Sequence, residues 1–147
     1  QPKGAEALAR WRHPLKGIIP PTVFIPLAES TGLIVDIGQF VLETAVKTAE
    51  KWHQKGHKLH IGVNISGRQF VQSDLTEQVH NALSGITMNP SYLDLEITES
   101  LAMSNAESNI QTLKALKAMG VSISIDDFGT RHWTSHARFF SDVSGKG

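Results

Sequence analysis

Three short segments, HIGVNIS (60–66), YLDLEIT (92–98) and VSISIDD (121–127), alternate apolar and polar residues in steps of two. That alternation, with their Val, Ile, Leu and Tyr content, predicts half-buried β-strands. Asn64, Glu96 and Asp126 stand at or near the end of each, at intervals of about thirty residues, the length of one strand-plus-helix unit. Between them the pattern turns helical. From Asp36 to Lys55, Ile37, Phe40, Val41, Ala45, Thr48 and Trp52 recur near the helical period, with Asp36 and Gln39 as a capping box and Gly56 as the stop. Residues 74–84 open on Asp74 and Glu77 and present Leu75, Val79, Ala82 and Leu83. Ser104 to Met119 repeats the device with Ser104 and Glu107, presents Ile110, Leu113, Leu116 and Lys117, and stops at Gly120. A shorter helix is expected from Thr22 to Ser30, closing at Gly32. Strands and helices alternating at this spacing imply right-handed crossovers and a parallel sheet, so the predicted class is α/β.

Composition narrows the function. The 14 basic and 14 acidic residues cancel, so no global field favours a nucleic acid polymer or an acidic membrane. There is no cysteine, which excludes disulfides and thiolate chemistry and agrees with a cytoplasmic setting. The chain opens on Gln1 rather than Met and is read as a piece of something longer. Its histidines lack ligand spacing, and Gly56 breaks the helix between His53 and His57, so a structural role is expected of them. Trp52 and Phe40 are expected in the core.

In parallel α/β folds, ligands gather at the carboxyl ends of the strands. There this chain offers Asn64, Glu96 and the adjacent Asp126 and Asp127, all hard oxygen donors. Gathered carboxylates repel one another unless a cation neutralises them, and all-oxygen ligation favours Mg²⁺ or Mn²⁺ over zinc. Taken singly, Asn64 could cap a turn and the two aspartates could form an Asx turn before Gly129. Upstream, GAEALARW (4–11) alternates so that Glu6, Leu8 and Arg10 share one face. An acid, an apolar side chain and a guanidinium in a row suit a metal, a flat base and a phosphate; an edge strand with charged residues facing solvent would read the same way.

Glu-Ala-Leu at 6–8, FIPLAESTGLI (24–34), VNIS (63–66), LEITES (95–100) and DDFGT (126–130) occur in the order seen in EAL-domain proteins, which the chain resembles over nearly all of 4–130. The resemblance implies a modified TIM barrel that hydrolyses cyclic di-GMP to linear pGpG with Mg²⁺ or Mn²⁺, Ca²⁺ being inhibitory. It puts Glu6, Asn64, Glu96 and Asp126 on metal-ligand positions and Asp127 on that of a second metal. Glu99 matches a glutamate that anchors a catalytic loop, while Leu8 and Arg10 match contacts to the base and phosphate of the substrate. Two metals can polarise a phosphodiester and activate a water for in-line attack. The Asp-Phe-Gly at 127–129 does not signal a protein kinase, because the Gly-rich loop and the other kinase motifs are missing.

The chain departs from that family at two places. Gln1-Pro2-Lys3 abuts Gly4 where the family has a further stretch of strand, and RHWTSHARFFSDVSGKG (131–147) shows neither helical period nor β run. Residues 1–130 are therefore read as a partial EAL domain and 131–147 as a divergent tail without counterparts of the family's later catalytic lysine, glutamate and glutamine. A sensor or GGDEF-type domain upstream is an expected companion. Three functions stay open: a phosphodiesterase, a catalytically silent cyclic di-GMP binder, and an interaction fragment. The chain is about three-fifths of the ~250 residues of a complete (β/α)8 barrel. An incomplete TIM-like barrel leaves a strand edge exposed, so self-association or pairing with a missing barrel segment is expected. Sedimentation at high concentration should show association; a clean monomer that unfolds cooperatively would contradict it.

Overall fold

The computed structural model describes residues 4–72, 74–104, 106–126 and 136–144, with backbone alone at Gln72, Asp126 and 136–144. The elements run β1 (Gly4–His13), β2 (Gly17–Ile19), α1 (Pro21–Thr31), α2 (Ile34–Gln54), β3 (His60–Asn64), α3 (Gly67–Gln72) and α4 (Leu75–Leu83). A 3₁₀ turn (Pro90–Tyr92), β4 (Leu93–Thr98), α5 (Glu99–Ala102), α6 (Glu107–Ala118), β5 (Ser122–Asp126) and β6 (His136–Ser144) complete them. The expected strands and the parallel order β1-β3-β4-β5 are present.

The strand β1 is the branching point of the sheet. Its backbone pairs in parallel with β6 from Gly4 to Arg12. Its other edge pairs with β3 at Gly4 to Ala7 and, antiparallel, with β2 at Trp11 to His13. The β1–β2 hairpin turns where His13 Nδ1 accepts the amides of Leu15 and Lys16 at 3.1 and 3.2 Å. A strand at 136–144 corrects the expectation of no β run after Thr130: the free edge of β1 supplies the pairing, and tertiary context overrides a weak local pattern.

Side-chain parity organises the core. Ala5 and Ala7, Ile61 and Val63, and Leu93, Leu95 and Ile97 are buried on one face of the sheet. Against them α2 packs Leu42, Ala45, Val46 and Ala49, spaced three, four and seven apart and each 0 % exposed. Its position explains two corrections. The helix begins at Ile34 with no side-chain cap, so Asp36 sits inside the first turn, where it complements the helix dipole, and Gln39 donates to Glu43 at 2.9 Å instead of closing a box. Phe40 is turned outward, 42 % exposed, because the buried stripe follows Val41 and Leu42.

The capping prediction for α4 holds, with Asp74 Oδ1 accepting the Glu77 amide at 3.1 Å. That for α6 shifts: the helix starts at Glu107, and Ser104 Oγ serves the turn before it by accepting from Ala106 N and Asn109 Nδ2. Of the apolar residues expected on α6, Leu116 alone is buried. The short helix α1 docks Phe24 edge-on against Trp11 of β1, 6.3 Å between centroids, and ends at Gly32 with φ 81°. The histidines are structural where contacts are described: His53 hydrogen-bonds the Leu59 carbonyl at 3.0 Å, and its ring meets Tyr92 edge-on.

At the end of α2, Glu50 clamps the segment entering β4. Its carboxylate accepts Thr87 Oγ1 at 2.7 Å, Thr87 N at 2.8 Å and Met88 N at 3.0 Å. These bonds, the Thr87 hydroxyl foremost, hold its carboxyl below the ordinary glutamate value; the His53 charge assists and burial opposes. A lowered folded value means stability present above the unfolded value of about 4.3 and lost as pH falls through the folded one. Glu50→Ala should cost about 3 kcal/mol by urea unfolding at pH 7, as buried amides lose a charged acceptor. Glu50→Gln should flatten the decline of stability below about pH 4.3.

Candidate functional site

The opposite face of the same strands carries the polar residues. Backbone register places Glu6 opposite Gly62, Asn64 opposite Glu96, Glu96 opposite Ser124, and Thr98 opposite Asp126. Laterally paired residues point to the same side of a sheet. Glu6, Leu8 and Arg10 of β1 therefore share a face with Asn64, with Asp94 and Glu96 of β4, and with Ser124 and Asp126 of β5. These strands alternate because their other side must be aliphatic to meet α2 and α4.

On this face Glu6 is 2 %, Asp94 4 % and Glu96 5 % exposed. Asn64 ends β3 and donates from Nδ2 to Glu6 Oε1 at 2.9 Å, linking two expected ligands across neighbouring strands. Glu96 stands level with Asn64, and its carbonyl accepts Ile65 N at 2.9 Å, which pins β3 to β4 just beyond Asn64. Asp126 is not level with Glu96; it lies one side-chain step further along its strand. Its side chain is not described, and Asp127 lies outside the described residues. Among the described residues no three carboxylate, imidazole or thiol groups form a metal-holding cluster by themselves. The expected set also requires the Asn64 amide and the two aspartates.

The donors present do fit a hard divalent cation. With Nδ2 committed to Glu6, the Asn64 amide retains Oδ1 as an acceptor, and the carboxylates of Glu6 and Glu96 are oxygen donors of the kind Mg²⁺ and Mn²⁺ take. Low exposure makes concentrated negative charge costly without a counter-ion. Glu99 is exposed at the first position of α5, immediately after Thr98, whose hydroxyl accepts the Leu101 amide at 3.3 Å. Leu8 and Arg10 are half-buried and follow Glu6 on its face. Beside Leu8 and Asn64 a cavity of about 230 Å³ opens under α1 and α2, lined mainly by Ala7, Ala9, Ile25, Ile37 and Val41.

Sequence reading missed Asp94. The signal was available, since Asp94 alternates with Leu93 and Leu95 in the same register as Glu96. Both its oxygens lie 2.8 Å from Ser124 Oγ.

Residues 1–139 match the family described as EAL domain. The chain is 51% identical over 128 residues to the bifunctional diguanylate cyclase/cyclic di-GMP phosphodiesterase MucR of Pseudomonas aeruginosa, covering 86% of this chain and 19% of that protein. It is 36% identical over 128 residues to the cyclic di-GMP phosphodiesterase PdeR of Escherichia coli, covering 87% of this chain and 19% of the relative. The solved PaMucR phosphodiesterase in complex with c-di-GMP superposes with a TM-score of 0.75 at 49% identity, over 84% of this chain and 50% of that one. The EAL enzyme Bd1971, bound to cAMP and cyclic-di-GMP, gives 0.70 at 27% identity, over 85% and 36%. The chain thus spans half the length of the PaMucR structure and about a fifth of the curated relatives.

Asn64→Ala removes a donor to the buried Glu6 carboxylate. It should lower stability to urea by about 2 kcal/mol without added metal.

Proposed function

Because the chain belongs to the EAL-domain family, we propose that it is an EAL-type phosphodiesterase domain that hydrolyses cyclic di-GMP to linear pGpG. The observation that carries this reading is the buried Glu6 carboxylate held by Asn64 on the face it shares with Glu96. In this reading Glu6, Asn64, Glu96 and Asp126 hold one Mg²⁺ or Mn²⁺, and Asp127 contributes to a second. Two such ions would supply Lewis acidity at the phosphodiester and a lowered pKa for the attacking water.

The chain's own residues bind and orient. Asn64 fixes Glu6 through one oxygen, so the carboxylate cannot swing away from the strand ends. Arg10 offers the phosphate a guanidinium fork, Leu8 gives the guanine an apolar surface, and Glu99 anchors a catalytic loop. The reaction balances as water oxygen joins phosphorus while the bond from phosphorus to the 3′ oxygen breaks. The departing oxygen takes a proton, and the linear product keeps a 5′-phosphate.

A second reading, a silent cyclic di-GMP binder, is supported by the segment 131–147, whose sequence departs from the family's pattern. Binding needs fewer groups than activation of water. In either case the domain would work in the cytoplasm, coupled to a GGDEF-type or sensor domain, as MucR's description as bifunctional suggests. No helix among the described residues is long and apolar enough to cross a membrane.

Calorimetry with cyclic di-GMP in Ca²⁺, followed by chromatography of products in Mn²⁺, separates these readings. Heat and pGpG are expected. Glu96→Ala should cut turnover by more than about 100-fold, beyond the usual cost of losing a supporting residue. Heat without pGpG selects the binder, and neither signal leaves only an interaction role.

A further inference from the structure

We propose that Asp94 and Ser124 form a positioning pair that sets the offset between Glu96 and Asp126. This inference deepens the phosphodiesterase reading above and rests on it. Asp94 is 4 % exposed and lies two residues before Glu96 on the same face of β4. Its lateral neighbour is Ser122, yet its carboxylate takes the hydroxyl of Ser124, with 2.8 Å to each oxygen. The bond is therefore diagonal. Ser124 stands level with Glu96 and two residues before Asp126, so the pair joins the position below one expected ligand to the position below the other.

A buried carboxylate is an expensive way to join two strands, since matched aliphatic side chains would serve stability at less cost. The other face of these same strands uses that solution, with Leu93, Leu95 and Ile97 against α-helical apolar residues. What the Asp–Ser bond adds is direction. A serine hydroxyl has one hydrogen, and with two equidistant oxygens it can donate to either without the carboxylate moving. The β4–β5 seam is thus held in one slant, and with it the single step by which Asp126 stands beyond Glu96. Asp94 is not itself a ligand of the same ion as the strand ends, because it sits roughly 6.6 Å back along β4 from Glu96. Outer residues of this kind orient ligands, and their loss typically costs 10–100-fold in metal affinity.

Mn²⁺ binding to the full chain, followed by the loss of the free-ion electron paramagnetic resonance signal, tests the pair without any need for turnover. Ser124→Ala and Asp94→Ala remove the bond and should weaken Mn²⁺ about tenfold or more, while Asp94→Asn keeps an acceptor for Ser124 and should stay within about threefold. Circular dichroism establishes that each variant is folded; if Asp94→Ala is not, Ser124→Ala and Asp94→Asn decide. Unchanged affinity in Ser124→Ala overturns the inference and leaves the phosphodiesterase reading intact. A loss in Asp94→Asn as large as that in Asp94→Ala also overturns it, since charge rather than direction would then be at work. An unsubstituted chain that binds no Mn²⁺ overturns both readings.

Discussion

Alternation of side chains across β1, β3, β4 and β5 divides one sheet into an aliphatic face and an acidic face, and every other feature follows from that division. Burial of Ile61, Val63, Leu93 and Leu95 beneath α2 and α4 stabilises the chain by about 2 kcal/mol for each large side chain. The same burial forces Glu6, Asn64 and Glu96 to the other side. A slip of one residue in any seam would bring acids under the helices and leucines into the site, so packing fixes which face each residue takes. The aliphatic core therefore acts as the selector of which oxygens meet.

Most of this was legible in the sequence because the period of two is local. Each strand could be read from a handful of residues, and the shared parity of Asn64, Glu96 and Asp126 pointed to one face. What could not be read there depends on partners distant in the chain. The hairpin strand β2 is three residues long and carries no pattern of its own. Strand β6 exists through pairing with β1, 132 positions away at its first register pair. The outward turn of Phe40 was set by the direction from which the sheet approaches α2, which helical spacing alone does not reveal. Asp94 was overlooked because a carboxylate below the strand end resembles any exposed strand acid until Ser124 is placed beside it.

Two buried carboxylates, Glu50 and Glu6, do different work in the fold. Glu50 closes the entry to β4 with backbone and hydroxyl donors, and its role is fulfilled by those bonds. Glu6 lies on the face leading to the strand ends and accepts a hydrogen bond from Asn64, a residue that still has an oxygen to offer. Barrel-type folds separate stability from chemistry along the strand axis in the same way.

The branching of β1 has a geometric consequence for the cavity beside it. Its two neighbours on one edge, β3 and β2, part company between Ala7 and Trp11, like a zipper with two sliders moving away from each other. The 230 Å³ hollow lies against this parting, with Leu8 among the residues that line it. On that edge the segment that carries the acid, the apolar side chain and the guanidinium is held near both ends, while β6 runs along the whole of its other edge. Side chains of α1 and α2 that line the hollow therefore meet Leu8 on the stretch of β1 between those two pairings.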